Sequence, residues 1–212
     1  MPYLYHNNET HSLDIHGLCL KTLTDFSKKP KNILDLGAHH GQGVKKLFDQ
    51  LNSIEKYTMV EPAPKCIKII EDMLLELKND KLSLISGVIN KSEGEIAFFD
   101  MPNMDESSNL FGARVGYGTP EEIFVKMHPF QTLGHFDFVK CNIEGHEYKL
   151  IEDGFFDQVD SFLIEIHQRH VKKVNDEYYT ITDAIDALKD KFDLVSHGQL
   201  QHKYCFLAGV KV

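Results

Sequence analysis

Basic residues are in short supply: 23 Lys and Arg stand against 32 Asp and Glu, a formal net charge of -9 over 212 residues. Gripping a nucleic-acid backbone requires clustered Lys and Arg, so nucleic acid is not expected as a partner, whereas a cationic small molecule suits an acidic surface. Long apolar runs are missing as well. None approaches the ~20 residues that span a bilayer, and the N-terminal stretch lacks the basic-then-apolar layout of a signal peptide; a cytoplasmic protein with no membrane partner is expected. Cysteine is sparse and scattered, at Cys19, Cys66, Cys141 and Cys205, with no C-x-x-C pair. That excludes a disulfide framework and a zinc knuckle and leaves four buried thiols. No repeat, low-complexity tract or linker interrupts the chain, whose length suits one domain: a helical segment over 1–30 and a core over 31–212.

What the sequence does contain is a rhythm of short apolar runs and amphipathic stretches. "NILDL" (32–36), "YTMVE" (57–61), "LSLISGVI" (82–89), "FDFVKCNI" (136–143) and "SFLIEIH" (161–167) are near-continuously apolar, as strands buried on both faces are. Between them "GVKKLFDQL", "PAPKCIKIIEDMLLELKN" and "HEYKLIEDGFF" place apolar residues three and four apart, the spacing of crossover helices. The alternation predicts an α/β fold with a doubly wound, mostly parallel sheet and helices on both faces. Further helices are expected over 13–26 and within "YYTITDAIDALKDKF". The last two runs, "FDLVSHG" and "HKYCFLAGVKV", read as a C-terminal antiparallel hairpin at or near the sheet edge. Residues 100–120, rich in Gly, Ser, Asn and Pro, read as one long loop.

In an open α/β sheet, ligands bind beyond the carboxyl ends of the strands, where the strand order reverses. The first such end reads "LDLGAHHGQG", with Asp35, Gly37, Gly41 and Gly43 where strand turns into helix. Glycines let a ligand approach the backbone, and free amides at a helix start receive a carboxylate. The second strand ends in Glu61, and 61 − 41 = 20 residues separate it from Gly41, the spacing at which an acid reaches a ribose diol. Together these point to an adenosine-bearing ligand. The pattern G-x-x-x-G-x-G is not the G-x-G-x-x-G of nicotinamide cofactors, and an acid at 35 sits awkwardly beside a pyrophosphate. It suits the ammonium of S-adenosyl-L-methionine.

The order "ILDLGAHHGQG", "VEPAP", "SSNL", "FVKCNIEGHEYKLI" and "FLIEIH" resembles the FkbM family of S-adenosylmethionine-dependent methyltransferases, from about Ile33 to His167. The resemblance implies a seven-stranded, Rossmann-like methyltransferase sheet and O-methylation of a hydroxyl on a sugar, glycan or small metabolite. It implies that Asp35, Gly37, Ala38, Gly41 and Glu61, with Pro62 and His39 beside them, surround the cofactor. Val88 would lie near the adenine, and Lys140, Asn142, Glu144, Gly145 and Glu147 would line the reacting end. Two positions depart from the family pattern: Asn142 stands where the family has Asp, and Gly134 where it has an acid after "TL".

Asn142 keeps hydrogen bonding but cannot take a proton, which moves the base to a neighbouring acid or histidine. Glu144, two residues on, would share its face if the strand continued, and is assigned as general base, helped or replaced by His167. His167 ends "FLIEIH" with Glu165 on the same face. Glu147 is either part of the site or simply the start of the next helix. Carboxylate and imidazole are also metal ligands, but Glu144, His146, Glu147 and His167 show no metal-binding spacing, and no metal is assigned. Two other readings stay open: a cofactor-binding pseudoenzyme that has lost transfer through Asn142 and Gly134, and an NAD or nucleotide-sugar oxidoreductase. Nothing in the sequence encodes the oligomeric state.

Overall fold

The computed structural model describes residues 5–7, 15–100, 121–167, 178–197 and 204–212. Helix α1 (Ile15–Asp25) precedes a core of β2 (Asn32–Leu36), α2 (Gln42–Lys46), β3 (Lys56–Glu61), α3 (Pro64–Leu77), β4 (Leu82–Ser86), β8 (Phe138–Cys141), α4 (Glu147–Glu152), β9 (Ser161–His167), α5 (Ile181–Leu188), β10 (Phe192–His197) and β11 (Tyr204–Lys211). Four more strands complete the numbering: β1 (Tyr5–Asn7) ahead of α1, then β5 (Val88–Asn90), β6 (Gly94–Asp100) and β7 (Glu121–Pro129) before β8. The large sheet runs β1-β10-β11-β9-β8-β2-β3-β4, and β5-β7-β6 form a second, small sheet.

Strands β2, β3, β4, β8 and β9 are parallel to one another, whereas β11 is antiparallel to both β9 and β10. Seven of the eight strands reproduce the expected methyltransferase sheet, and β1 adds an eighth, parallel to β10. The C-terminal antiparallel hairpin forms near the sheet edge, with β11 inserted between β9 and β10. The inserted position suits its composition, since Cys205, Leu207 and Ala208 are buried. Gly209 fits there because a Cβ would stand 2.4 Å from the Phe162 ring of β9.

Other boundaries also move. "LSLISGVI" is two strands, not one. At Gly87, φ is +134° and a Cβ would meet the Lys126 carbonyl at 2.3 Å, so the chain leaves the large sheet there and enters the small one. Strands β6 and β7, antiparallel and joined in register from Gly94↔Met127 to Asp100↔Glu121, are absent from the sequence-based assignment. Strand β8 stops at Cys141, two residues early, because Asn142 donates its N–H to the Leu36 carbonyl and the chain then turns. The long loop lies outside the described residues from 101 to 120.

Helices follow local chemistry. Pro64 opens α3, and α5 carries a capping box in which Thr180 and Asp183 exchange side-chain and backbone hydrogen bonds. On one face of the sheet a chain of edge-on aromatic contacts, Phe130–Phe155–Phe156–Phe162–Phe192, ties β9 and β10 to the short turns around α4. All four cysteines are buried free thiols. Among the described residues no helix is long and apolar enough to cross a membrane.

Candidate active site

Strand order reverses between β2, whose chain next forms β3 on one side, and β8 on the other, so the carboxyl ends of β3, β2, β8 and β9 define the cleft. The backbone closes these ends tightly. Gly37 and Ala38 both donate to the Val60 carbonyl at 3.1 Å, and Asn142 donates to Leu36 at 3.0 Å. Gly37 has φ +73°, and a Cβ there would lie 1.9 Å from the Asn142 carbonyl oxygen. The β2 and β8 turns pass closely enough at this point that only glycine fits. Ala38 is buried behind Gly37, and Gly41 is left-handed at φ +71° where α2 begins.

Asp35 does not face the cleft. It is fully buried, one carboxylate oxygen accepts the Tyr57 hydroxyl at 2.8 Å, and the other pairs with Lys140 Nζ at 2.9 Å. Gly43 makes room for this pair, because a Cβ at 43 would stand 2.1 Å from the Tyr57 oxygen and 2.4 Å from Asp35. Both of its oxygens are engaged under the sheet end. Besides Asp35, Lys140 donates to the Leu36 carbonyl at 3.3 Å and to Gly37 at 2.6 Å, and it is 3% exposed, so it braces the glycine turn. Burial works against its charge, but the Asp35 carboxylate outweighs that and holds its pKa above the ordinary lysine value.

Glu61 ends β3 and accepts from two turns: His39 N–H at 2.7 Å and Ala63 N–H at 2.9 Å. Burial raises its pKa to about 7 despite these two donors. Each carboxylate oxygen retains a second lone pair, and Pro62, half-buried, sits beside it. His39 is exposed with φ +53° and stacks on His40 at 3.8 Å between ring centroids. Val88 belongs to a buried cluster with Ala63, Cys66, Phe98 and Val125, at the small sheet's junction with α3.

At the other end of the cleft, Glu147 is the first residue of α4 and is fully buried. One oxygen accepts Gly145 N–H at 2.8 Å; the other accepts His167 N–H at 2.7 Å and lies 3.1 Å from His167 Nδ1. The far ring nitrogen, Nε2, points at Glu144 Oε2 at 3.4 Å, with Glu165 at 3.9 Å. Burial opposes a charge on His167, but the hydrogen bond and charge of Glu147, with Glu144 and Glu165 behind it, raise its pKa to about 9. That direction favours the protonated ring, held between Glu147 at Nδ1 and Glu144 at Nε2. Glu144 does not continue the strand. It occupies the turn after β8 with φ +54°, its side chain 19% exposed beside the His167 ring, and a non-glycine residue in that region is strained by roughly 1–3 kcal/mol. Asn142 is half-buried, and its Oδ1 is buried without a hydrogen-bond partner. His146 turns the other way, its Nε2 3.2 Å from the Ile89 carbonyl, so the four-residue metal grouping weighed from sequence does not converge. Gly134 is exposed before β8 begins, at the opposite end of the strand from Asn142. Ser107, Ser108 and Asn109 fall outside the described residues.

The Asp35–Lys140 pair is the feature that sequence reading missed. The signal was there: one acid and one lysine, each inside an otherwise apolar buried strand, sit opposite each other in the β2–β8 register, and buried charges pair.

A seven-strand core with an inserted antiparallel strand, a glycine turn after the first core strand, an acid ending the second and a carboxylate cluster after the fourth define a Rossmann-like methyltransferase. The family model for the methyltransferase FkbM domain matches residues 35–192. The chain belongs to the FkbM family of S-adenosylmethionine-dependent methyltransferases. Among solved structures, the methyltransferase FkbM from Methylobacillus flagellatus KT aligns with TM-score 0.56 at 13% identity, covering 85% of this chain and 44% of that one. The chain thus spans under half the length of that protein. The N-terminal domain of EvdMO1 with S-adenosylhomocysteine bound aligns with TM-score 0.58 at 13% identity, covering 95% and 82%. The fibrillarin pre-rRNA processing protein of Methanococcus jannaschii aligns with TM-score 0.52 at 15% identity, covering 87% and 67%. Comparison with curated protein sequences finds no match.

Proposed function

We propose that this chain transfers a methyl group from S-adenosyl-L-methionine to a hydroxyl of a sugar, glycan or small metabolite, with Glu144 as the proton acceptor. One observation carries the reading: Glu144 is held in a strained turn at the cleft, against a histidine ring locked from behind by Glu147. Strain of this kind persists where surrounding structure over-determines a position. The residues present fit the cofactor. Glu61 retains lone pairs for ribose hydroxyls, and the Asn142 Oδ1 lacks a partner and can accept from a ligand donor. That the EvdMO1 domain was crystallised with S-adenosylhomocysteine is in keeping with this.

When bound, the cofactor supplies a methyl group made electrophilic by its sulfonium. The protein must place the acceptor oxygen ~3 Å from that carbon, in line with the leaving sulfur. As the C–O bond forms, the hydroxyl proton becomes far more acidic than in the free alcohol. A carboxylate is then a sufficient base. Glu144 takes that proton; the His167 ring, with Nε2 3.4 Å from Glu144 Oε2, fixes the orientation of Glu144. Asn142 cannot accept a proton and serves as a hydrogen-bonding group.

The test is methyl transfer from isotope-labelled S-adenosylmethionine onto extracted glycans and metabolites by parent and Glu144→Gln. A base should lose ~100-fold or more in turnover with S-adenosylhomocysteine affinity unchanged. Calorimetry in which the parent binds S-adenosylhomocysteine while no acceptor is methylated would favour a pseudoenzyme. An NAD isotherm without one for S-adenosylhomocysteine would favour an oxidoreductase.

A further inference from the structure

We propose that His39, His40 and Cys66 form a binding site for a thiophilic divalent cation, with Zn2+ as the representative ion. One ligand atom from each of the three side chains lies within 4.8 Å of the other two. The residues come from different segments, the histidines from the turn between β2 and α2 and the cysteine from the first turn of α3. Glu61 joins those segments, because one oxygen holds His39 N–H and the other holds Ala63 N–H. The two ligand-bearing turns are therefore already fixed relative to each other, and an ion need not build the site from disordered chain.

A second observation points to a ligand. His40 Nε2 is buried and has no hydrogen-bond partner, and leaving a buried polar atom unsatisfied is costly. An ion accepting that lone pair removes the cost. Around a tetrahedral zinc, with nitrogen at ~2.0 Å and sulfur at ~2.3 Å, ligand atoms stand roughly 3.3 to 3.8 Å apart. Side-chain rotations of an ångström or so bring the three to that spacing. Two imidazoles and a thiolate favour Zn2+ and exclude Mg2+ and Ca2+, which take oxygen ligands. Three protein ligands leave a fourth position open to water.

The site adjoins the Glu61 end of the cleft, a placement beside the cofactor that rests on the proposed function; the zinc test below needs neither cofactor nor acceptor. Full-length protein, stripped with a chelator, is titrated with Zn2+ against a chromophoric competitor, and with Co2+ as a spectroscopic probe. The expected result is one Zn2+ per chain, a thiolate-to-cobalt charge-transfer band, and at least 100-fold weaker zinc binding in both Cys66→Ser and His40→Asn. The band should vanish in Cys66→Ser. Thermal unfolding of metal-free protein checks that each variant folds. His40, less buried than Cys66, decides the matter if the serine variant does not. Failure of the parent to bind zinc, or parent-like affinity in a folded His40→Asn variant, overturns the proposal. Absence of an S-adenosylhomocysteine isotherm would instead count against the proposed function.

Discussion

His167 makes stability depend on pH in a direction that can be worked out in advance. Its pKa is about 9 in the fold and 6.5 as the reference value. Between these, the folded chain keeps a proton that the unfolded chain has released, so stability falls as pH rises. The contribution is complete below pH 6.5 and gone above about 9. A displacement of ~2.5 units at ~1.36 kcal/mol per unit gives ~3 kcal/mol, and the ring is buried, so solvent screening removes little of it. The perturbation is His167→Gln, which cannot titrate. Urea unfolding of parent and variant is measured at half-unit steps from pH 6 to 9.5. The difference matters, because Glu61, with a pKa raised to about 7, and Cys66 and Cys205, raised to about 12, add slopes of their own that cancel between the two proteins. The parent's advantage should be ~3 kcal/mol at pH 6 and should close towards zero by pH 9.5. A gap that stays constant across the range would mean that His167 is neutral in the fold, and the ion pairs drawn around it would be refuted.

Lys140→Met strands the Asp35 carboxylate without its cation in a fully buried site and should cost ~3–5 kcal/mol in urea unfolding; a loss under ~1 kcal/mol would show that Tyr57 alone satisfies Asp35. Gly37→Ala drives a methyl to within 1.9 Å of the Asn142 carbonyl, so both stability and S-adenosylhomocysteine affinity should fall, and a variant unchanged in both would place the cleft elsewhere. Glu61→Ala should weaken S-adenosylhomocysteine binding by ~1.5–3 kcal/mol by calorimetry, and unchanged affinity would remove Glu61 from the cofactor site. Because Glu61 also holds His39 and Ala63, the same variant should alter thermal stability, which sequence alone did not suggest.

Strands β2 and β9 were legible to the residue because each is a run of buried, mostly apolar side chains, and nothing competes with that signal. The small sheet was not legible. Its strands β6 and β7 flank the segment that composition marks as loop, and β7 is exposed or half-buried except at Val125, with only the short apolar run Ile123–Val125. The place of β11 was hidden for a different reason: strand order is a property of the whole sheet, and an apolar C-terminal run fits an interior slot or an edge equally well from sequence. Motif positions were legible as positions, since glycines and acids at strand ends stand out. Their partners were not, because Asp35 and Lys140 are 105 residues apart and meet only through the β2–β8 register.

The three buried acids among the described residues all join neighbouring strand ends. Glu61 links the end of β3 to the turn after β2, Asp35 on β2 holds Lys140 on β8, and Glu147 after β8 holds His167 on β9. Each tie crosses one gap, and together they span the cleft floor from β3 to β9. Pairing buried charges does little for net stability compared with apolar packing, so stability is a poor reason for three such ties in one row. Fixed geometry is a better one. Methyl transfer depends on donor, acceptor and base holding their places to within a fraction of an ångström, and charged hydrogen bonds between strand ends restrict the turns that carry them. On this argument Asp35 and Glu147 build the frame, Glu61 both braces it and keeps lone pairs for a ligand, and the other groups that the frame presents to ligands are Glu144 in its strained turn and the unpartnered oxygen of Asn142. Substituting a frame residue conservatively, as in Glu147→Gln, should then lower turnover through a misplaced His167 and Glu144 while S-adenosylhomocysteine still binds. Loss of S-adenosylhomocysteine binding in folded Glu147→Gln would show that Glu147 belongs to the ligand and not to the frame.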